Sequence, residues 1–268
     1  MLGMLKSEIY KLFNKKSFYI CALILMGLIG LSIWAYEKSF LDKFGVSGIE
    51  GISFKQMGFT AWDAMMNGIG FEFITVMNSI FTSIFVCYEF SSGMNKNLVI
   101  RGRNKFVIYF SKMLVSMLIP IIYTLLSAVT LYSITSHSWN AGNWEQSYIN
   151  SIIIPMGLFV LVQVAFQSIF VMFGYLFCTS VWVTANNFGL AFGIIPSLII
   201  SGINYILKNW FGIQTNIFKY WLGSISGVYS LSYPLKEETA KIFPWLIIAY
   251  FIIPAIIGSV VFFKREVK

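Results

Sequence analysis

Few side chains in this sequence have the types and spacing that catalysis needs. His137 is the single histidine, and Glu237 and Glu238 form a pair of adjacent carboxylates just outside an apolar segment. Hydrolysis or group transfer requires acids, bases or metal ligands that are gathered in one site. These residues do not form such a set, so we expect no enzyme, no catalytic residue and no metal site.

Thiol chemistry and nucleotide hydrolysis are not expected either. Cys21, Cys87 and Cys178 have no spacing typical of zinc, and no CxxC pair is present. A G-x-x-x-x-G-K-[ST] phosphate loop, which would hold ATP and Mg²⁺, does not occur in the sequence. We therefore expect the chain itself to bind no cofactor, and any ATP and Mg²⁺ that drive it to lie on a partner protein.

The chemistry that the sequence does offer is hydrogen bonding by uncharged polar side chains within long apolar segments. In a bilayer such groups face a water-filled path or protein, or they join neighbouring helices. Serine and threonine suit helix contacts at least as well as a path, whereas Asn78 and Asn204 favour a path. The candidates are Thr75, Asn78, Ser79, Thr82 and Ser83 in one segment, and Asn187, Ser197, Ser201 and Asn204 in another.

These residues belong to a chain whose composition is typical of an integral membrane protein. Hydrophobic residues make up 57% and charged residues 11%, whereas a soluble domain carries about 25% charged residues. A helix that crosses the bilayer needs roughly 20 apolar residues. The sequence predicts six such spans, at about Ser17–Tyr36, Ile69–Tyr88, Phe106–Ile134, Ile152–Phe177, Asn187–Leu207 and Phe243–Phe263.

The lysine and arginine residues predict the orientation of these spans. They concentrate before the first span, in the connection after the second and beyond the last, whereas most carboxylates fall in the other connections. Both termini are therefore predicted to be cytoplasmic, and the net charge of +8 indicates contact with anionic membrane lipids rather than nucleic acid. The external segment 208–242 is rich in aromatic residues and fits either a re-entrant segment or a loop resting on the membrane.

The N-terminal segment Met1–Lys16 is predicted to be an amphipathic helix in the membrane interface. Its apolar residues recur at helical spacing, and its lysines lie on the other face. It could serve as a simple positively charged anchor or as a lever that touches a cytoplasmic partner. The apolar stripe consists of Leu2, Leu5, Ile9, Leu12 and Phe13.

The connection Glu89–Lys105 is predicted to contain a short cytoplasmic helix. Phe90, Met94 and Leu98 are spaced four residues apart and would share one helical face, before Arg101-Gly102-Arg103 ends the helix. Such a helix could insert its apolar tip into a groove of a soluble partner. The alternative is a charged loop that only maintains the topology.

Together these two cytoplasmic elements resemble the permease subunits of ATP-binding-cassette exporters of the ABC-2 type. The resemblance covers the whole chain in size, span number and topology. It includes the segment KSEIYKLFNKKSFY, and a glutamate at the end of span two that precedes a glycine and a basic stretch. In this sequence the second pattern is Glu89, Gly93, Lys96, Arg101 and Lys105, with Lys112 at the start of the third span. The chain is most similar to the small permeases of antimicrobial-peptide immunity and peptide export.

The resemblance implies an all-α fold with a single transmembrane permease domain over residues 1–268. Two permeases, identical or similar, would pair in the plasma membrane above two cytoplasmic ATPase subunits, and would export an amphipathic peptide. The N-terminal helix would act as a connecting helix through Leu5, Ile9, Lys11, Leu12 and Phe13. A coupling helix would contact the ATPase through Glu89, Phe90, Gly93, Met94, Lys96, Leu98 and Arg101. Spans two and five would line the substrate path with Thr75, Asn78, Ser79, Thr82, Asn187, Ser197, Ser201 and Asn204.

Two alternative functions remain open from the residues alone. A lipid or a lipophilic drug would suit the same apolar path with scattered polar groups. An ion-coupled carrier would need carboxylates near the middle of the membrane. Glu72 is the nearest candidate, but it lies only a few residues inside span two and fits an interfacial cap better than a proton relay.

Overall fold

The chain folds into a bundle of helices, and no strand occurs among the residues described. The computed structural model describes residues 2–43, 54–55, 57–191, 199–205, 208 and 237–264. Residues 199–205 are helical, and a π-helical turn at Ile149–Ile153 precedes α8. The named helices are α1 (Leu2–Asn14), α2 (Lys16–Lys43), α3 (Ala61–Met66), α4 (Glu72–Ser91), α5 (Met94–Ile100), α6 (Lys105–Ser116), α7 (Leu118–Ser138), α8 (Ile154–Phe177), α9 (Ser180–Ala191) and α10 (Glu237–Lys264).

Five helical stretches within the described residues are long and apolar enough to cross a membrane. They correspond to five of the predicted spans, and the described residues confirm the predicted all-helical fold. The sixth predicted span, Asn187–Leu207, begins inside α9, but residues 192–198 and 206–207 of it lie outside the described residues. The five stretches are Lys16–Ser39, Glu72–Ser91, Lys105–Ser138, Ile149–Phe177 and Lys241–Lys264.

Helix α4 forms the centre of the bundle. In its most apolar stretch 72% of the residues are buried, against 28% in the first and the last spans. Helices α2, α7, α8 and α9 all pack against it, while α10 packs against α8 and α6. Since the outer helices carry the lipid-facing side chains, α4 is the span whose polar groups must find partners inside the protein.

Prolines interrupt the backbone hydrogen bonding inside two of the spans. Proline lacks the N–H that would bond to the carbonyl four residues earlier, and the third span is divided at Met117, just before Pro120. In α10 the carbonyl that Pro254 leaves without its helical partner belongs to Tyr250. Ser168 of α8 donates its hydroxyl to that oxygen at 2.8 Å, which joins α10 to α8 at this point.

The first and second predicted external connections are folded against each other. Ala61 N–H donates to the Asn140 carbonyl at 2.7 Å, and Asn140 N–H donates to Phe59. Thr60 and Asp63 form a capping box at the start of α3. We call this end of the bundle the α3 side and the opposite end, which carries α1 and α5, the α1 side.

Close packing of α8 against α4 on the α1 side depends on Gly174. A methyl group at Gly174 would lie 2.5 Å from Cγ1 and 2.9 Å from Cβ of Val86. We expect Gly174→Ala to lower the free energy of unfolding by about 1–3 kcal/mol, because β-branched Val86 has few rotamers in a helix. Equilibrium unfolding in mixed micelles measures this effect.

Gly157 provides a matched control in the same helix, since no atom lies within 4 Å of a methyl group placed there. Gly157→Ala should be neutral or slightly stabilising, because alanine favours a helix. The second change Val86→Ala should restore part of the loss caused by Gly174→Ala. Equal effects of the two glycine substitutions would contradict the proposed close contact.

Candidate functional site

Four charged side chains form an ion-pair cluster on the α1 side, which consists of Glu8, Lys11, Glu89 and Lys112. Lys112 Nζ lies 2.8 Å from Glu8 Oε2 and 2.8 Å from Glu89 Oε1. Lys11 Nζ lies 2.8 Å from Glu89 Oε1 and also contacts Glu8 Oε1. The cluster therefore joins three elements: α1, the last turns of α4, and α6.

Three of the four side chains are almost completely shielded from solvent, and Lys11 is partly exposed. Glu8 and Glu89 are each 2% exposed and Lys112 is 1% exposed. Charges this deeply buried persist only when they are paired and hydrogen-bonded, and two carboxylates here balance two ammonium groups. The Lys112 ammonium also lies 3.6 Å from the centroid of the Phe85 ring, a cation–π geometry that stabilises it further.

The pKa values of Lys11 and Lys15 shift in opposite directions near this cluster. Burial lowers the pKa of Lys11, but the charges and hydrogen bonds of Glu89 and Glu8 outweigh that effect, so its pKa is raised overall. Burial, followed by the Lys112 cation, lowers the pKa of Lys15 to about 8, although the Tyr88 ring centroid, 3.5 Å from Lys15 Nζ, favours the ammonium form. Lys11 thus remains a charged link between α1 and α4 at neutral pH.

The N-terminal helix has a different inner face from the one predicted. The structure buries Leu12 of the predicted stripe and partly buries Leu5, but Leu2, Ile9 and Phe13 are exposed on the described surface. The buried face consists of Met4, Glu8 and Leu12. Exposed Ile9 and Phe13 would suit the lipid interface, while Glu8 and Lys11 turn toward the bundle.

A short helix, α5, lies in the predicted connection but begins after Phe90, so Phe90, Met94 and Leu98 do not belong to one continuous helix. Phe90 belongs to the last turn of α4, and Gly93, at φ 67°, turns the chain before α5 begins at Met94. The Phe90 ring lies 5.2 Å from the Tyr175 ring of α8 and 6.1 Å from the Phe262 ring of α10.

Helix α5 has one side that packs against the bundle and one side that is exposed. Leu98 packs in the same apolar cluster as Phe90, and Met94 is half-buried. Lys96, Asn97, Ile100 and Arg101 are exposed, and Ile100 is 71% exposed. We call these four residues the outer surface of α5.

A second polar feature, the amide seam, runs along α4 in the interior of the bundle. Gln163 Nε2 donates to Thr75 Oγ1, and Gln167 Nε2 donates to Thr82 Oγ1, both at 2.6 Å. The seam consists of Thr75, Asn78, Thr82 and Ser83 of α4, Gln163 and Gln167 of α8, and Asn187 of α9. Asn187 Nδ2 donates to Ser83 Oγ at 2.9 Å.

The structure places the predicted path residues in two groups. Thr75, Asn78, Ser79, Thr82 and Asn187 are buried between helices of one chain, and the Ser79 hydroxyl bonds to the Val76 carbonyl of its own helix. Ser201 is exposed, Asn204 is half-buried, and Ser197 lies outside the described residues. Their role in a substrate path stays a prediction.

Three residues of the ion-pair cluster and the amide seam were not identified from the sequence, and the ion pairs of a fourth were not predicted. Glu8 was overlooked, although it is the single carboxylate of a basic N-terminal segment. Gln163 and Gln167 were overlooked, although they interrupt an apolar run at the four-residue spacing that aligns two side chains on a helix. Lys112 was assigned only to the start of a span, although a lysine inside an apolar stretch requires a partner.

Comparison with known proteins is consistent with this architecture. The family model described as ABC-2 family transporter protein matches residues 4–196, a range that contains most of α1, the ion-pair cluster, α5 and the amide seam. No curated protein sequence matches the chain significantly.

Proposed function

Because the chain belongs to the ABC-2 family of transporter proteins, we propose that it exports an amphipathic or hydrophobic peptide across the plasma membrane. It is a multi-pass membrane subunit of an ATP-binding-cassette transporter, and the family implies partnership with an ATP-binding subunit. In the proposed complex two such ATPase subunits bind ATP and Mg²⁺ beneath two permeases, identical or similar. Both termini of this chain are cytoplasmic.

The ion-pair cluster is the observation that carries this proposal. An ATPase outside the membrane can drive transport only if its movements reach the spans. On the α1 side, Glu8 and Lys11 tie the N-terminal helix to Glu89 and Lys112 of two spans. Because breaking such buried pairs is costly, a displacement of the end of α4 is transmitted to α1 and α6.

The outer surface of α5 is the proposed docking site for the ATPase. Helix α5 follows α4, and Glu89 lies near the end of α4. A force on α5 therefore acts on the same end of α4 that the ion-pair cluster holds in place. Exposed Ile100 provides an apolar contact, and exposed Lys96 and Arg101 favour an acidic rim on the partner. This surface replaces the one predicted from Phe90, Met94 and Leu98, because Phe90 packs inside the permease.

The six-span topology remains part of the proposal. Lys105 Nζ at the start of α6 donates to the Phe263 carbonyl at the end of α10, so α10 ends on the α1 side. Helix α8 also ends there, since Tyr175 contacts both Phe90 and Phe262. Two spans that end on the same side support an additional crossing between them.

The neutral polar groups along α4 support a peptide rather than an ion as the substrate. The seam contains amides and hydroxyls but no carboxylate. Glu72, the carboxylate that would serve an ion-coupled carrier, lies exposed at the first residue of α4. A relay for protons would need an unpaired titratable group deep in the span, whereas the buried Glu89 of α4 is paired with Lys11 and Lys112 near the end of that helix.

Isolation of the tagged full-length chain from its native membrane tests the proposal. We expect a soluble ATPase with a phosphate loop to co-purify, and proteoliposomes of the complex to move a fluorescent cationic amphipathic peptide when ATP is hydrolysed. A non-hydrolysable ATP analogue is the control, and a fluorescent phospholipid is the arm for lipid export. Absence of a co-purifying ATPase, or peptide movement that does not depend on ATP, would falsify the proposed function.

A further inference from the structure

The amide seam contains polar atoms that no described side chain or backbone group satisfies. They are both polar atoms of Asn78 and the carbonyl oxygens of Gln163, Gln167 and Asn187. All four residues are 0% exposed. Buried amide groups in native proteins nearly always have a partner, so a group of unpaired atoms indicates a ligand that satisfies them.

The register of the helices places these side chains along one face of α4, where it packs against α8. Asn78 follows Thr75 by three residues and precedes Thr82 by four, so the three side chains share one face of α4. Gln163 and Gln167, one turn apart on α8, bond to the threonines on either side of Asn78. Asn78 therefore lies between two hydrogen bonds, each of which leaves one end of a glutamine amide unpaired.

Each glutamine presents the nitrogen of its amide to a threonine hydroxyl, and its carbonyl oxygen has no partner among the described residues. In the interior of a membrane span such groups are costly, because no bulk water can replace the lost hydrogen bonds.

We propose that the amide seam is a binding site for ordered water inside the protomer. Water molecules can accept a hydrogen bond from Asn78 Nδ2 and donate to the unpaired oxygens of Asn78, Gln163 and Gln167. Buried waters typically make about three hydrogen bonds to polar groups that otherwise lack partners. The seam has no carboxylate, so a neutral ligand fits it, whereas a buried cation would lack a counter-charge.

Water in the seam has a mechanical consequence for α4. Water-mediated hydrogen bonds are nearly as favourable as direct ones and can be re-formed with new partners. Helix α4 can then shift along α8 while its amide groups remain satisfied. Asn78 lies roughly 16 Å along α4 from Glu89, at about 1.5 Å per residue, so a shift imposed at the ion-pair cluster reaches the seam along one rigid helix.

The sign of a stability change distinguishes a hydrated seam from a dry one. Leucine has nearly the shape of asparagine, so Asn78→Leu removes two polar atoms with little change in packing. In a hydrated seam this change removes hydrogen-bonding partners of the bound water, which then no longer satisfies the glutamine oxygens, and the midpoint of thermal unfolding in nanodiscs should fall by several degrees. In a dry seam it removes unsatisfied groups, and the midpoint should rise.

Thr124→Val is the matched control for this experiment. Thr124 is equally buried, and its hydroxyl bonds to the Pro120 carbonyl within its own helix, so the change should alter the midpoint much less. A rise of the midpoint in Asn78→Leu overturns the proposal.

Solid-state NMR separates bound water from a packing effect. In the full-length wild-type chain, the ¹⁵N side-chain amides of Gln163 and Gln167 should receive magnetisation from water, and Asn78→Leu should abolish this transfer. If the wild-type amides receive none, the seam is dry and the proposal fails, whatever the change in midpoint. Neither measurement needs the ATPase or a substrate, so the result does not depend on the proposed function.

Discussion

Lys112→Met is expected to destabilise the folded chain by about 3–5 kcal/mol, the usual cost of removing one partner from a buried ion pair. Lys112 is 1% exposed and contacts both Glu8 and Glu89. Without it, two carboxylates share the single ammonium group of Lys11, and one negative charge remains buried without compensation. The free energy of unfolding in mixed micelles measures the loss.

The double variant Lys112→Met/Glu89→Leu tests whether the loss arises from charge. It leaves Glu8 and Lys11 as a neutral pair, so we expect it to be more stable than Lys112→Met alone and its effects to be non-additive. Lys96→Met, at an exposed basic residue of α5, is the control and should change stability little. A double variant as unstable as the sum of both single changes would rule out the charge balance described here.

The double variant Ile100→Asp/Arg101→Glu should uncouple the permease from its ATPase. Both side chains are exposed, so the fold should be unaffected, while an apolar contact is lost and a charge is reversed at the proposed interface. We expect at least roughly tenfold weaker association, the loss that about 1.4 kcal/mol produces. Binding of the purified ATPase to permease nanodiscs, and ATP hydrolysis stimulated by the peptide, are the measurements.

Two further variants are controls for this experiment. Lys6→Glu reverses an exposed charge on α1 and should retain ATPase binding. Phe90→Asp should reduce thermal stability instead, because its ring packs against Tyr175 and Phe262. Unchanged binding and stimulation in Ile100→Asp/Arg101→Glu would show that the ATPase docks elsewhere.

The positions of the helices follow from the sequence more closely than the contacts at the sites do. The predicted span Ile152–Phe177 corresponds to Ile149–Phe177, and Ser17–Tyr36 corresponds to a helix that begins at Lys16. Length and apolarity determine these helices, because a chain in lipid must satisfy its backbone hydrogen bonds within each span. The predicted third span is continuous, whereas the structure divides it at Met117, just before Pro120. Length and apolarity do not predict this division.

The predicted face of the short helix failed for a local conformational reason. Periodicity assumed one continuous helix from Phe90 to Leu98, whereas Gly93 adopts a left-handed conformation and separates α4 from α5. Glycine permits this conformation but does not require it. The spacing of the apolar residues therefore could not determine which of them packs inward.

By itself, the sequence determined that this protein is a helical membrane protein, where most of its spans lie, and that its charged residues gather near their ends. These features follow from local composition and from the cost of exposing polar groups to lipid. Only the tertiary structure decided that Glu8 meets Lys112, and that Gln163 and Gln167 meet Thr75 and Thr82. These contacts join residues distant in the sequence, and their geometry depends on how the helices pack and rotate against one another, which the periodicity of a single helix does not specify.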